Sequence, residues 1–370
     1  MGQGISVVSL YDGISCGRLA LDRAGYAVSS YAAFETDKFA RAVSRYNHPD
    51  ITQHGDVFDT DFSRFVGADL VIGGSPCQNF SIAKARREVD KGGEGWKLFM
   101  RFAEAIRQIK PRFFLFENVA TMHREIRKHI SDELGCKPVL INSVLVSAQQ
   151  RKRLYWTNIP GTTQPEDRGI LLKDILETGL AAREKSYCID ACYSKGIGKN
   201  RLGIQDGRRQ LVYEPITSHE NALSSPNKCR KTRRFFAQEI IDAGGTIPAA
   251  DIPFPLCVGF IGANSQGNRV YSVHGKTISI MAYGGGRGGC VGLYKVDLPD
   301  GGYTVRKLTN IEAERCQTLP DNYTALGVDD KGETMKISPT QRYKCVGNGF
   351  TVDVIAHILS HIKGENDELY

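Results

Sequence analysis

Cys77 stands in a setting poorly suited to a hydrophobic core. The apolar run DLVIGG (69–74) reads as a strand and delivers the cysteine, through Ser-Pro, into the polar Gln-Asn of GGSPCQNFS (73–81). A buried structural thiol is the usual fate of a free cysteine. One that follows a strand end, stiffened by Pro76 and trailed by polar residues, is better placed as a nucleophile. Glu117 closes the very apolar run RFFLFEN (112–118), where a carboxylate needs a reason to be present. In QQRKRLYW (149–156), Arg151 and Arg153 take alternate positions leading into a strand, so both can face one side. Alternating arginines usually mark a solvated edge; beside a cysteine and a glutamate at neighbouring strand ends they suit an anion or a base edge.

A second group reads as a nucleoside site. SLYDGISCG (9–17) turns out of the first apolar run, Glu35 closes the second, and Asp56 follows a weaker third run in GDVF (55–58). Such a turn lets a ligand approach the backbone, and an acid at the next strand end can accept from ribose hydroxyls. The turn lacks G-x-G-x-x-G, and structural loops account for the same positions equally well.

These residues need elements to position them. ISVVSL (5–10), SSYAAFE (29–35), DLVIGG, RFFLFEN, KPVLINSVLV (137–146) and RLYWTNI (153–159) read as strands. Between them, CGRLALDRAG (16–25), DKFARAVSRYN (37–47), WKLFMRFAEAIRQI (96–109) and TMHREIRKHISDEL (121–134) carry helix periodicity. The alternation predicts an α/β fold with a doubly wound, mostly parallel sheet. Ligands bind such sheets at the carboxyl ends of the strands. Further on, RKLTNIEAERCQTLPDNY (306–323) predicts a helix opened by T-x-x-E and stopped before Pro320, and FTVDVIAHILSHI (350–362) a helix returning to the sheet.

At 370 residues, 41% hydrophobic and 24% charged, the chain reads as globular, with room for one large domain and one smaller. It holds no apolar run of about 18 residues, so no membrane partner is expected. MGQGISVVSL runs into a strand pattern without a leader's basic or apolar regions. Ten scattered cysteines predict reduced thiols in a cytoplasmic protein. The net charge of +7 is uneven: residues 186–300 hold 14 basic against 9 acidic residues, and 16 of the 39 glycines. A solvated basic loop surface and a surface that follows phosphates both fit that pattern.

Together the motifs resemble the cytosine-5 DNA methyltransferase family of bacterial or phage type. SLYDGISCG, AFETD, GDV, GSPCQNFS, WKLF, FENV, QQRKRLYW, RKLTNIEAERCQTLPDNY and VGNGFTVDV occur in the family order over about 180 residues. The resemblance implies a DNA (cytosine-5-)-methyltransferase of the S-adenosylmethionine-dependent methyltransferase fold, transferring a methyl group from S-adenosyl-L-methionine to a flipped-out cytosine in a specific duplex sequence. It makes Cys77 the nucleophile, Glu117 the acid at N3 and the amino group, Arg153 the contact to O2, and Arg151 its support. Tyr11, Gly13, Ile14, Cys16, Glu35, Thr36, Asp56, Val57, Pro76, Leu98 and Asn348 would line the cofactor, Glu35 on the ribose and Asp56 on the adenine amino group. Residues 1–185 become the catalytic and cofactor-binding domain, 186–300 a smaller, loop-rich target-recognition domain, 301–345 a hinge segment and 346–370 a C-terminal helix. Lys84, Arg86 and Arg87 fall in a polar loop that would close over the base and reach phosphate. Three positions depart from the family: Tyr11 stands where Phe is usual, Thr36 where an aromatic residue is frequent, and Gly349 where Ser is common.

Cytosine C5 is a poor nucleophile, and thiolate addition at C6 raises its electron density. Glu117 offsets the charge that develops at N3. A base buried in a duplex exposes neither ring face, so it must be flipped out. Double-stranded DNA is the expected partner, with a restriction endonuclease acting on the same sequence left open and a monomer expected. A tRNA cytosine-5 methyltransferase would carry a smaller insert and a Cys-Phe-Thr signature. An idle homologue would lack Cys77 or Glu117, and a dinucleotide oxidoreductase would need G-x-G-x-x-G. Cys188, Cys192 and Cys229 lack the second pair of a zinc site, so no metal is expected.

The basic segment generates a prediction. Replacing Arg230, Lys231, Arg233 or Arg234 should weaken binding to every duplex and lower the salt slope by about one unit, as loss of a phosphate contact does. Replacing Arg269 or Arg287, isolated among small and polar residues, should cost about 1–3 kcal/mol at a single base pair. Binding titrations over a salt series, on duplexes altered one pair at a time, separate the two classes. Uniform, salt-independent effects would mean that these arginines only solvate loops.

Overall fold

A computed structural model of the chain describes residues 4–76, 80, 92–181, 185, 186, 188, 189, 191 and 303–362, with four further strands between 211 and 295. The strands of the main sheet are β1 (Ile5–Leu10), β2 (Val28–Phe34), β3 (Thr52–His54), β4 (Leu70–Gly73), β5 (Phe113–Val119), β6 (Val139–Asn142) and β7 (Lys152–Thr157). They lie in the order β3-β2-β1-β4-β5-β7-β6. The first five in that order are parallel, and β7 runs antiparallel between β5 and β6. The expected doubly wound, mostly parallel sheet is therefore present. Its order reverses between β1 and β4, which opens a crevice at their carboxyl ends.

Helices α1 (Cys16–Arg23), α2 (Lys38–Asn47), α3 (Glu94–Ile109) and α4 (Arg124–Leu134) connect the strands. α2 starts where Asp37 accepts the amides of Phe39 and Ala40, a side-chain cap for donors that have no partner within the helix. β5 is buried along its whole length. Phe116 packs against Phe99, Phe102 and Trp156 with ring centroids 4.8 to 5.8 Å apart. Each such side chain contributes about 1.5–3 kcal/mol on burial. α1 packs on α7 (Val352–Ser360).

Contacts divide the chain into two compact units. One comprises residues 1–171, 188–194 and 310–370, the other residues 172–187 and 195–309. In the second, β8 (Leu180–Ala181), β9 (Leu211–Pro215) and β13 (Tyr303–Lys307) form one antiparallel sheet. A second sheet joins β10 (Cys257–Phe260), β11 (Arg269–Ser272) and β12 (Leu293–Lys295). The segment 301–345, read above as a hinge, is divided between the two units. β13 belongs to the second, whereas α5 (Asn310–Cys316), the hairpin β14–β15 (Leu326–Val328 and Thr334–Lys336) and α6 (Pro339–Asn348) belong to the first.

Two elements are shorter than the sequence suggests. The strand expected over 137–146 ends at Asn142, whose side chain accepts the amides of Val144 and Arg151 and starts a tight turn. The helix expected to run up to Pro320 ends at Cys316, and Thr318 adopts a left-handed φ of 56°. Glu314, fully buried, gathers that turn: its carboxylate accepts from the Asn322 and Thr324 amides, the Thr324 hydroxyl and Arg342, at 2.9 Å from the last.

Glu314→Ala leaves the largely buried Arg342 guanidinium without its anion. The change should destabilise the protein by about 3–5 kcal/mol, the usual effect of breaking a buried pair on one side. Urea unfolding measures it; a loss under about 1 kcal/mol would mean the pair is solvated and contributes little.

Candidate active site at the carboxyl edge of the sheet

The turn after β1 is bent by three left-handed residues, Tyr11 (φ 59°), Gly13 (φ 62°) and Ser15 (φ 62°). Two of them carry side chains, a strain that persists only where surrounding bonds over-determine it. Asp12 provides those bonds. Its buried carboxylate accepts from Ser9 (2.6 Å), Ser15 (2.5 Å) and Tyr31 (2.7 Å). Burial raises the Asp12 pKa above the usual carboxylate value, and the three hydroxyls pull it back. Tyr323 donates to the Ile14 carbonyl at 2.9 Å and meets His48 at 3.0 Å, fixing the turn from the other side. Sequence reasoning missed Asp12 as the centre of this network; the Ser-x-x-Asp-x-x-Ser spacing of residues 9–15 was the available signal.

Glu35 stands just past β2 and accepts three backbone amides. Gly13 donates to Oε2 at 2.9 Å, and Thr36 and Asp37 each donate to Oε1 at 2.8 Å. Burial pushes its pKa up while the amides hold it down. Asp56 is exposed and caps the turn at 57–59 through the Phe58 amide, with Val57 buried beneath. Arg101 of α3 donates to the Val57 and Thr60 carbonyls, a tie that no pattern in the sequence announces. Tyr11 donates its hydroxyl to the Leu98 carbonyl at 2.7 Å, so two expected cofactor positions bind each other. Thr36 is exposed. Cys16 is buried, and burial pushes its thiol up to about 12. A Cβ at Gly349 would lie 3.1 Å from Cys16 Sγ, so the small residue there fits the sulfur.

The second cluster forms where β4, β5 and β7 meet. Glu117 pairs in register with Tyr155, and Arg153 sits opposite Val119, two residues along the same face. Arg153 Nε reaches Glu117 Oε1 at 2.8 Å, with both side chains almost fully covered. A Cβ on Gly74 would come within 3.1 Å of Glu117 Oε2 and 2.9 Å of Phe350, so only glycine leaves room for the carboxylate. Asn118 donates to the carbonyl and hydroxyl of Ser75 at 3.2 Å, tying the end of β4 to β5. Pro76 follows, exposed. Arg151 is buried and donates to the carbonyls of Gly347 (3.3 Å) and Gly349 (2.9 Å), which flank the exposed Asn348. Below it, Gln149, Gln317, Thr351 and Ser143 form a buried network that the sequence reading did not find.

Glu117, Arg151 and Arg153 are thus brought together, as are Tyr11, Gly13, Ile14, Glu35 and Leu98. Cys77, Lys84, Arg86, Arg87, Arg230, Lys231, Arg233, Arg234 and Arg287 lie outside the described residues. Arg269 begins β11, its backbone opposite Phe260. Among the described residues no group of His, Cys, Asp and Glu could hold a metal, and no helix is long and apolar enough to cross a membrane.

Comparison with known proteins gives this geometry a context. The chain is 28% identical to the type II methyltransferase M.HhaI of Haemophilus parahaemolyticus, over 97% of this chain and 94% of that one. It is 27% identical to the orphan methyltransferase M.Rho11sI of Bacillus phage rho11s, over 80% of this chain and 61% of that one. Among solved structures, the methyltransferase EhMeth of Entamoeba histolytica shares the fold at TM-score 0.59 and 12% identity, covering 98% of this chain and 99% of that one. A DNMT2 mutant of Spodoptera frugiperda does so at TM-score 0.54 and 16% identity, covering 97% and 99%. The family model for C-5 cytosine-specific DNA methylase matches residues 5–364. That match spans every strand end described above, and the chain belongs to the C-5 cytosine-specific DNA methylase family.

Proposed function

We propose that this DNA cytosine-5 methyltransferase works at the carboxyl edge of its sheet, with Cys77 as nucleophile and Glu117, Arg153 and Arg151 as the base-binding group. The observation that carries the reading is the Glu117–Arg153 pair at 2.8 Å, packed against Gly74 three residues before Cys77. A cytosine beside Glu117 would offer N3 and its amino group to the carboxyl and O2 to Arg153. Cys77 would add to C6, C5 would take up the methyl group, and loss of the C5 proton would release the cysteine. Once Arg153 turns to O2, a proton on the Glu117 carboxyl would donate to N3 and offset the charge that develops there. Arg151 acts at one remove, fixing the Gly347–Gly349 backbone and with it Asn348.

The cofactor of this reading is S-adenosyl-L-methionine, which supplies the methyl group on its sulfonium sulfur. The donor set fits it. An ionised carboxylate has about four lone-pair sites; Glu35 uses three on the Gly13, Thr36 and Asp37 amides and keeps one for a ribose hydroxyl. Asp56, exposed at the next strand end, suits the adenine amino group, and the turn at Gly13 suits the amino-acid end. Tyr11, Ile14, Cys16, Thr36, Val57, Pro76, Leu98 and Asn348 complete the lining. Residues 186–300 would select the duplex sequence, with Lys84, Arg86 and Arg87 on phosphate. Both a type II and an orphan methyltransferase are among the relatives, so a companion endonuclease is not a family requirement. The enzyme would act as a monomer in the cytoplasm.

DNA made with 5-fluorocytosine tests the nucleophile, because fluorine cannot leave as the C5 proton does. Wild-type enzyme with cofactor should become covalently trapped and Cys77→Ala should not; equal trapping would remove Cys77 from the role. Glu35→Ala should weaken cofactor binding by about 1–3 kcal/mol in calorimetry, the loss of a charge-assisted partner. Unchanged affinity would leave Glu35 only its three amides.

A further inference from the structure

The described part of the base-binding group holds two guanidinium groups and one carboxylate. Arg153 has Glu117. Arg151 is deeper, 4% exposed, and the carbonyls it donates to, on Ile189 (3.1 Å), Gly347 and Gly349, carry no charge. Its Nε has no partner among the described residues. A buried cation without an anion is costly. Among the described residues, one further ionisable side chain lies within hydrogen-bonding distance of both arginines. Cys188 Sγ lies 3.3 Å from Arg151 Nη1 and 4.0 Å from Arg153 Nη2. Its backbone is stitched to the same place, since the Ile189 amide donates to Gln149 Oε1 at 3.1 Å.

We propose that Cys188 is a positioning residue: its sulfur bridges the guanidinium groups of Arg151 and Arg153 and keeps Arg153 free to turn from Glu117 to the base. The proposal rests on the roles given above to Glu117 and Arg153. With Cys188 as a second anion, two cations face two anions, and neither arginine depends on Glu117 alone. Burial by itself would raise the Cys188 thiol, but the charges of Arg151 and Arg153, with their hydrogen bonds, outweigh it and leave the thiol below its ordinary value. As a thiol the sulfur also reaches the Ile189 carbonyl at 3.5 Å, yet that carbonyl already accepts from Arg151, so ionisation strands no acceptor. Without the second anion Arg153 settles on Glu117, and both are withheld from the base.

Full-length Cys188→Ser, Cys188→Ala and Cys188→Asp enzymes test this on unmethylated genomic DNA across a pH series. Serine keeps the shape and loses the charge, whereas aspartate is small and permanently ionised. Serine and alanine should lower kcat about tenfold with KM for DNA and cofactor within about twofold, as for an interaction made in the transition state. They should also remove an ionisation from the acid limb of the kcat profile, and aspartate should restore kcat with that limb flattened. Wild-type kcat and profile in Cys188→Ser, a rise in KM alone, or aspartate no better than alanine would overturn the proposal. Should these variants not fold, the Cys77→Ala protein provides the measurement. Its ultraviolet thiolate absorbance should show a step below the ordinary thiol range, and no step overturns the proposal. Trapping on 5-fluorocytosine DNA keeps the two readings apart. Absence of any wild-type adduct defeats the site reading itself, while a normal wild-type adduct with an unaltered Cys188→Ser enzyme defeats only the positioning role. An adduct retained in Cys77→Ala but lost in Cys188→Ser would make Cys188 the nucleophile and overturn both.

Discussion

A carboxylate set into a strand that is buried along its length has to be met by a cation, and Glu117 is met by Arg153. The sheet topology makes this possible. Were β7 parallel to β5, it would bring its carboxyl end to this edge; because it is antiparallel, it brings its start, and with it Arg153 and the lead-in residue Arg151. Neighbouring features follow from the same pair. Gly74 has no side chain because the Glu117 carboxylate and Phe350 fill the space, and Asn118, the next residue along β5, holds Ser75 and ties the end of β4 to β5.

The turn after β1 solves a different problem. It lacks the repeated glycines that would make left-handed backbone easy, and it adopts left-handed φ at Tyr11 and Ser15 nonetheless. The strain is offset by the Asp12 carboxylate with its three hydroxyl donors, by Tyr11 on Leu98, and by Glu35 on the Gly13 amide. Two departures from the family pattern thus acquire a physical sense. The Tyr11 hydroxyl is a strut that phenylalanine could not supply, and Gly349 leaves the room that the Cys16 sulfur requires.

Periodicity carried most of the fold, because a sheet covered on both faces writes its strands as apolar runs and its helices as amphipathic stretches. ISVVSL and RFFLFEN became β1 and β5 with ends within a residue of the expected ones. The strand ends also exposed Glu35, Glu117 and Arg153, since a charge that interrupts an apolar run is conspicuous. What stayed hidden were side chains that act on backbone far away in the sequence. Asn142 ends β6 by capping a turn, Glu314 gathers a loop, and Gln317 binds Gln149 across 168 residues. None of these is a break in a hydrophobic pattern, so no pattern announces it. Asp12 was visible as an acid but not as the hub of a turn, because its partners Ser9, Ser15 and Tyr31 look like ordinary polar and aromatic residues until the chain folds.

The discontinuity of the first unit has a temporal side. Arg151 donates to carbonyls at Gly347 and Gly349, 196 and 198 residues further along the chain. At a ribosomal rate of about 5–20 residues per second, those acceptors emerge roughly ten to forty seconds after the arginine that needs them. Through that interval the nascent chain can pair its early strands, but the guanidinium must stay hydrated and this edge of the sheet open. The carboxyl edge of the sheet is therefore completed only with the arrival of α6 and α7.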